Sequence, residues 1–112
     1  MRMWMVNPRI MCRQHLLGEH VEHHMFVGTI QRGIGLSGYL ENNLLEMESL
    51  ATRHDELVVE IEARGYRHRS PLPAVSPPFH GKIDREASLA ELIRRCPICA
   101  ARKEALDSGR EP

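Results

Sequence analysis

Apolar side chains recur every three or four residues along most of the chain, and this spacing predicts helices rather than strands. The helical segments are expected near 8–32, 37–64 and 84–95. Because no hairpin signal accompanies them, the predicted fold class is all-α: a compact three-helix domain over 1–103 with a flexible tail at 104–112. The expected core includes residues from all three helices: Leu17, Val21, Leu44, Leu57, Ile61 and Leu92.

Prolines and helix length set the expected limits of these segments. Pro8 is tolerated in the first turn of the first helix, where its missing N–H group costs nothing. The second helix would be roughly 40 Å long if it were continuous, so a break is expected near 49–53. Prolines recur between Ser70 and Pro78, which excludes a helix there and predicts an extended surface loop.

The first helix combines apolar surface on several sides with charged side chains. Its apolar stripe is formed by Ile10, Leu17, Val21 and Met25. His15, Glu19 and Glu22 share a different face at i, i+4 and i+7. This face is either an acid–base site in a cleft or a surface with ordinary i, i+4 pairs. Of the further histidines at 20, 23 and 24, no set has the spacing of a zinc protease motif, and solvated side chains are favoured over a metal site.

Composition limits the possible partners and the compartment. The formal net charge is zero over 112 residues and aromatic residues make up 4%. There is therefore no overall basic field to attract nucleic acid, although basic residues are concentrated near 64–69 and 82–103. The chain has no run of about 18 apolar residues and no signal-peptide pattern, so no membrane association is predicted and a cytoplasmic location is expected.

The cysteines are expected to be free thiols or metal ligands rather than disulfides. Cys96 and Cys99 frame a Cys-Pro-Ile-Cys motif that supplies half of a tetrahedral zinc site, and Cys12 with a histidine would be one way to complete it. The favoured interpretation is that Cys96 is an N-cap with Pro97 at the first helical position, while Cys99 packs as a small apolar residue. No cofactor is therefore expected, and zinc is the less favoured alternative.

Three segments, in order, resemble the phage endonuclease V family, the pyrimidine-dimer DNA glycosylases. They are QHLLGEHVE at 14–22 followed by FVG at 26–28, LATRHDELVVEIEARGY at 50–66, and REASLAEL at 85–92. The resemblance implies a three-helix fold with the N-terminal segment packed between the helices. It also implies a glycosylase and AP-lyase activity on double-stranded DNA, in which the N-terminal amine forms a Schiff base with the damaged nucleotide and β-elimination then cuts the strand.

The resemblance also implies roles for particular residues. Met1 falls on the position that carries the amine, and Glu22 falls on the catalytic glutamate. Arg2, His15 and Arg95 fall on positions that bind DNA. Because the bulky Arg2 should hinder removal of Met1, the mature chain is expected to begin at Met1. A free α-amine is partly deprotonated at cellular pH, and it is then nucleophilic.

The chain departs from the family pattern at Val21 and Met25, where the family has arginines beside the catalytic glutamate. It also lacks the family's aromatic C-terminal segment and its strongly basic charge. These differences leave a second class of function open. It is a non-catalytic module on the same fold that binds nucleotides or a protein partner, with or without a stabilising zinc ion.

Overall fold

The computed structural model describes residues 1–68, 71–72 and 81–112, and its regular structure is entirely helical in those ranges. The α-helices are α1 (Arg13–Gln31), α2 (Ser37–Glu41), α3 (Leu50–Ala63), α4 (Arg85–Arg95) and α5 (Pro97–Asp107). Two 3₁₀ turns lie at Pro8–Ile10 and Met47–Ser49. The all-α fold class is confirmed. Among the described residues, no helix is both long enough and apolar enough to cross a membrane.

The first helix begins later than predicted and buries a different face. Residues 8–10 form a 3₁₀ turn, and α1 starts after Cys12, whose sulfur accepts the N–H group of His15 as the N-cap. The prediction that Val21 belongs to the core is wrong, because Val21 is 55% exposed, and Met25 of the same stripe is 49% exposed. The buried face instead carries Leu16, Glu19, His23, Phe26 and Val27.

The predicted second helix is interrupted by a turn. Helix α2 ends at Glu41, Asn43 has a φ of 56°, and a 3₁₀ turn leads into α3. The interruption lies just before the break expected at 49–53, and it lets Leu45 and Met47 enter the core. Leu57, Ile61 and Leu92 are buried as predicted, whereas Leu17 and Leu44 are only partly buried.

The C-terminal part contains one helix more than predicted. Helix α4 agrees with the expected segment, and Asp84 is its N-cap. Cys96 then caps α5 with Pro97 in its first turn, as expected for this pair. Helix α5 continues to Asp107, so residues 104–107 of the segment predicted as a tail are helical. The loop predicted at 70–78 lies outside the described residues except for positions 71–72.

The N-terminal arm, residues 1–7, packs between the helices and contributes to two apolar clusters. Met3 packs in a cluster with Phe26 of α1, while Trp4 and Val6 pack in a second cluster that includes Leu92 of α4. The N–H group of Met3 donates to the carbonyl oxygen of Leu44 at 2.8 Å. The arm is therefore part of the core, and this brings the N-terminus to a defined place beside α1 and α4.

Candidate active site at the N-terminus

A cavity of about 350 Å³ lies beside the N-terminal arm, and all five site residues predicted from the sequence line it. The arm supplies Met1 and Arg2, α1 supplies His15 and Glu22, and α4 supplies Arg95. The wall is completed by Trp4 and Leu44. The fold thus brings residues that are far apart in sequence to one cavity. The chemical role of each residue is still a prediction.

Glu22 contacts the start of the chain. Its Oε2 atom accepts a hydrogen bond from the backbone N–H group of Arg2 at 3.1 Å. The α-amine of Met1 is three covalent bonds from that nitrogen, and Met1 lines the same cavity. A carboxylate in this position can accept a proton from a nearby amine and can stabilise a cation that forms on it.

Glu19, which was predicted to share a face with Glu22, lies in the interior instead. Its carboxylate accepts hydrogen bonds from Arg53 at 2.7 and 2.9 Å, and it contacts His23 Nε2 at 3.1 Å. Burial acts to raise the pKa of Glu19, but the hydrogen bonds from Arg53 and His23 outweigh it and hold that pKa below its usual range. The predicted polar face therefore divides into a structural ion pair and a cavity carboxylate.

Two guanidinium groups lie near the ring of Trp4 at the cavity. Arg2 Cζ is 3.9 Å from the ring centroid and Arg95 Cζ is 5.9 Å from it. Burial, followed by the positive charge of Arg95, lowers the pKa of Arg2. Arg2 donates to Ser88 Oγ at 3.4 Å, and Arg95 is paired with Glu91. Arg2 and Arg95 therefore place positive charge beside the Trp4 wall of the cavity.

Two groups of side chains among the described residues could hold a metal ion. The first is Cys12, His15, Cys96 and Cys99, and the second is His20, His24, His54 and His68. Within each group the candidate ligand atoms lie within 4.8 Å of one another. The sequence indicated half of the first group through its Cys-Pro-Ile-Cys spacing. For the second group, the sequence offered His20 and His24 at i, i+4 as a possible metal pair but favoured solvated side chains. It did not indicate His54 and His68, because they come from α3 and the segment after it and have no motif spacing.

Comparison with known proteins identifies a related family. The sequence profile of the family described as pyrimidine dimer DNA glycosylase matches residues 1–74 of the 112. The matched region contains four of the cavity residues predicted from the sequence, Met1, Arg2, His15 and Glu22, whereas Arg95 lies beyond it. No curated protein and no solved structure matches the chain.

Proposed function

We propose a specific mechanism for this chain, which belongs to the pyrimidine dimer DNA glycosylase family and is therefore a DNA repair glycosylase in general terms. The α-amine of Met1 attacks C1′ of a damaged nucleotide in double-stranded DNA, and Glu22 transfers the protons. The observation that carries this proposal is the contact between Glu22 and the Arg2 amide, in the cavity that Met1 also lines.

The glycosylase step exchanges one bond at C1′ for another. The amine nitrogen forms a bond to C1′, while the bond from C1′ to the base breaks and its electron pair leaves with the base, which then takes up a proton. Glu22 removes a proton from the newly bonded nitrogen and delivers it to O4′ as the sugar ring opens. The product is an iminium ion between Met1 and C1′, and the nearby carboxylate stabilises its positive charge.

The lyase step follows from the same iminium ion. This cation acidifies the hydrogen on C2′, and the Glu22 carboxylate accepts that proton. The electron pair of the C2′–H bond forms a double bond to C3′, and the C3′–O bond breaks with the phosphate as leaving group. Water then hydrolyses the imine, which releases the sugar fragment and restores the free amine of Met1.

Local positive charge would hold the DNA, because the chain has no net charge to attract it. Arg2 and Arg95 are far apart in the sequence, but both of their guanidinium groups lie near the ring of Trp4. We assign to them the phosphates next to the damaged nucleotide. His15 lines the same cavity and completes the DNA-binding set that the resemblance implies.

Borohydride trapping on duplex DNA with an abasic site tests the mechanism. Borohydride reduces the iminium ion to a stable amine, so the parent protein should become covalently attached to DNA through residue 1, as read by peptide mass spectrometry. Glu22→Gln should reduce trapping by about 10²- to 10⁴-fold because it removes the proton-transfer group. Acetylation of the α-amine should abolish trapping.

The matched control is Glu62→Gln, which changes an exposed carboxylate near the end of α3, outside the cavity residues. It should be trapped as efficiently as the parent. Equal trapping of the parent and the acetylated protein, or of the parent and Glu22→Gln, would refute the mechanism. A parent that binds duplex DNA but is never trapped would favour the non-catalytic binding module.

A further inference from the structure

Three thiol groups and one imidazole converge at the start of α1. Cys12 Sγ lies 3.2 Å from His15 Nδ1 and 3.8 Å from Cys96 Sγ, and Cys99 Sγ lies 3.8 Å from the same histidine nitrogen. In a tetrahedral zinc site with Zn–S bonds of about 2.3 Å and Zn–N bonds of about 2.0 Å, neighbouring sulfurs are about 3.8 Å apart and sulfur–nitrogen distances are about 3.5 Å. The two spacings of 3.8 Å are close to these values, the Cys12–His15 spacing is about 0.3 Å shorter, and all four ligand atoms lie within 4.8 Å of one another.

The surroundings of these sulfur atoms suit thiolates. Each sulfur faces a backbone N–H donor: His15 N is 3.5 Å from Cys12 Sγ, Cys99 N is 3.4 Å from Cys96 Sγ, and Cys12 N is 3.2 Å from Cys99 Sγ. Cys12 and Cys96 are also the N-caps of α1 and α5, where the helix dipole favours negative charge. Backbone donors in these positions would stabilise the negative charge that each sulfur carries when it binds a cation.

All three cysteines are buried and none forms a disulfide. Simple apolar packing would account for buried thiols one at a time. It does not account for an imidazole nitrogen that faces two sulfur atoms from opposite ends of the chain, Cys12 and Cys99. Thiolate and imidazole together are a ligand set suited to zinc.

We propose that Cys12, His15, Cys96 and Cys99 bind a structural zinc ion. Four protein ligands close the coordination sphere, so no position is left for a reacting water molecule. The ion would join the start of α1 to the junction of α4 and α5 across 84 residues of sequence. Since Arg95 directly precedes a ligand, the zinc ion would also hold that guanidinium at the cavity.

Coordination through Nδ1 has a consequence for His15. The ring hydrogen must then be on Nε2, and a metal-bound histidine commonly donates that hydrogen to a nearby carboxylate, carbonyl oxygen or water molecule. His15 could thus serve as a zinc ligand and still donate a hydrogen bond to DNA in the cavity. The zinc site does not depend on the proposed reaction, since the binding module described above could carry it equally well.

Metal analysis and spectroscopy test the site without an activity assay. Protein purified under reducing conditions without a chelator should contain close to one equivalent of zinc bound by the three cysteines and His15. X-ray absorption at the zinc edge should find three sulfur atoms at about 2.3 Å and one nitrogen at about 2.0 Å. Replacement of zinc by cobalt(II) should produce the thiolate-to-cobalt charge-transfer bands of a tetrahedral site.

Single-residue variants show which side chains are responsible for the zinc binding and for the cobalt charge-transfer bands. Cys96→Ser and His15→Gln should each weaken zinc binding, and Cys96→Ser should reduce the charge-transfer intensity. The matched control is His54→Gln in the group of four histidines, and it should keep the full intensity. The proposal is overturned by a parent protein that takes up no zinc, by a zinc ion with nitrogen ligands alone, or by full charge-transfer intensity in Cys96→Ser. None of these results depends on glycosylase activity, so the two proposals can fail separately.

Discussion

Arg53 is fully buried in α3 and connects three parts of the chain. Its guanidinium donates two hydrogen bonds to Glu19 of α1, and a third reaches the carbonyl oxygen of Val6 in the N-terminal arm at 2.6 Å. The two parallel hydrogen bonds between Arg53 and Glu19 offset much of the hydration free energy that both charged groups lose on burial. This residue therefore fixes the arm relative to α1, and with it the two walls of the cavity.

Replacing Arg53 with methionine should lower the free energy of unfolding by about 3–5 kcal/mol, because the buried carboxylate of Glu19 would lose its arginine partner and keep only its contact with His23. Urea unfolding followed by circular dichroism measures the effect. The double variant Arg53→Met/Glu19→Gln should recover part of the loss, since it also removes the carboxylate charge. Arg94→Met, whose ion pair with Glu91 lies at the surface, should hardly change the urea midpoint. An Arg53→Met protein as stable as the parent would contradict this role.

At the scale of elements, the backbone at Gly81, just before α4, passes close to the backbone at Leu45, before α3. Gly81 has a φ of +83°, and a Cβ atom there would lie 2.1 Å from the carbonyl oxygen of Leu45. Close by, the buried carboxylate of Glu46 accepts hydrogen bonds from the N–H group of Ile83 at 3.0 Å and from Arg85 at 3.1 Å. These contacts hold the start of α4 against the turn that precedes α3.

Gly81→Ala should destabilise the protein through two separate effects. A left-handed backbone conformation costs a residue with a Cβ atom about 1–2 kcal/mol, and the overlap with a backbone oxygen cannot be relieved by a side-chain rotation. Gly65→Ala isolates the first effect, because Gly65 has a φ of +86° but no atom within 4 Å of the added carbon. Both melting temperatures should fall in calorimetry, and that of Gly81→Ala should fall clearly further. Equal losses would argue against the close crossing.

At the scale of the whole molecule, a cluster of imidazoles joins α1, α3 and the segment after α3. The ring centroid of His20 lies 4.9 Å from that of His54 and 4.8 Å from that of His68. Burial, followed by the positive charge that the neighbouring histidines would carry, lowers the pKa of His20 to about 4. Burial also lowers the pKa of His54, although a hydrogen bond with Asp55 opposes that shift. Both shifts favour the uncharged imidazole at neutral pH.

Acid should therefore destabilise the fold through His20. The unfolded chain binds a proton at this residue near pH 6.5, whereas the folded protein binds it only at about pH 4. The contribution of His20 to the free energy of unfolding is thus complete above pH 6.5 and decreases as the pH falls from 6.5 towards 4. Urea unfolding across this range should show the decrease in the parent and a flatter profile in His20→Gln. Identical slopes in the two proteins would refute the assignment.

The sequence by itself determined the fold class, part of the local structure and the family. Helix α4 with its Asp84 cap, and the Cys96–Pro97 start of α5, depend on contacts between residues no more than four positions apart, so the pattern of the sequence contains them. The ordered resemblance alone pointed to Met1 and Glu22 as candidate site residues, because a family motif retains residue types at fixed spacing. The long helix predicted over 37–64 shows the limit of periodicity, since the turn at Asn43 depends on what the neighbouring segment buries.

Only the tertiary structure decided which side of α1 is buried and which distant side chains meet. Apolar residues occur on several sides of that helix, so the sequence pattern favoured Val21 for the core. Glu19 is buried instead, because Arg53, 34 residues away, pairs with its carboxylate. Cys12 and Cys96 are likewise neighbours only because α4 and α5 pack against the start of α1. Contacts within a helix follow from its repeat, but contacts between distant residues depend on how all the helices and the arm fill one core together.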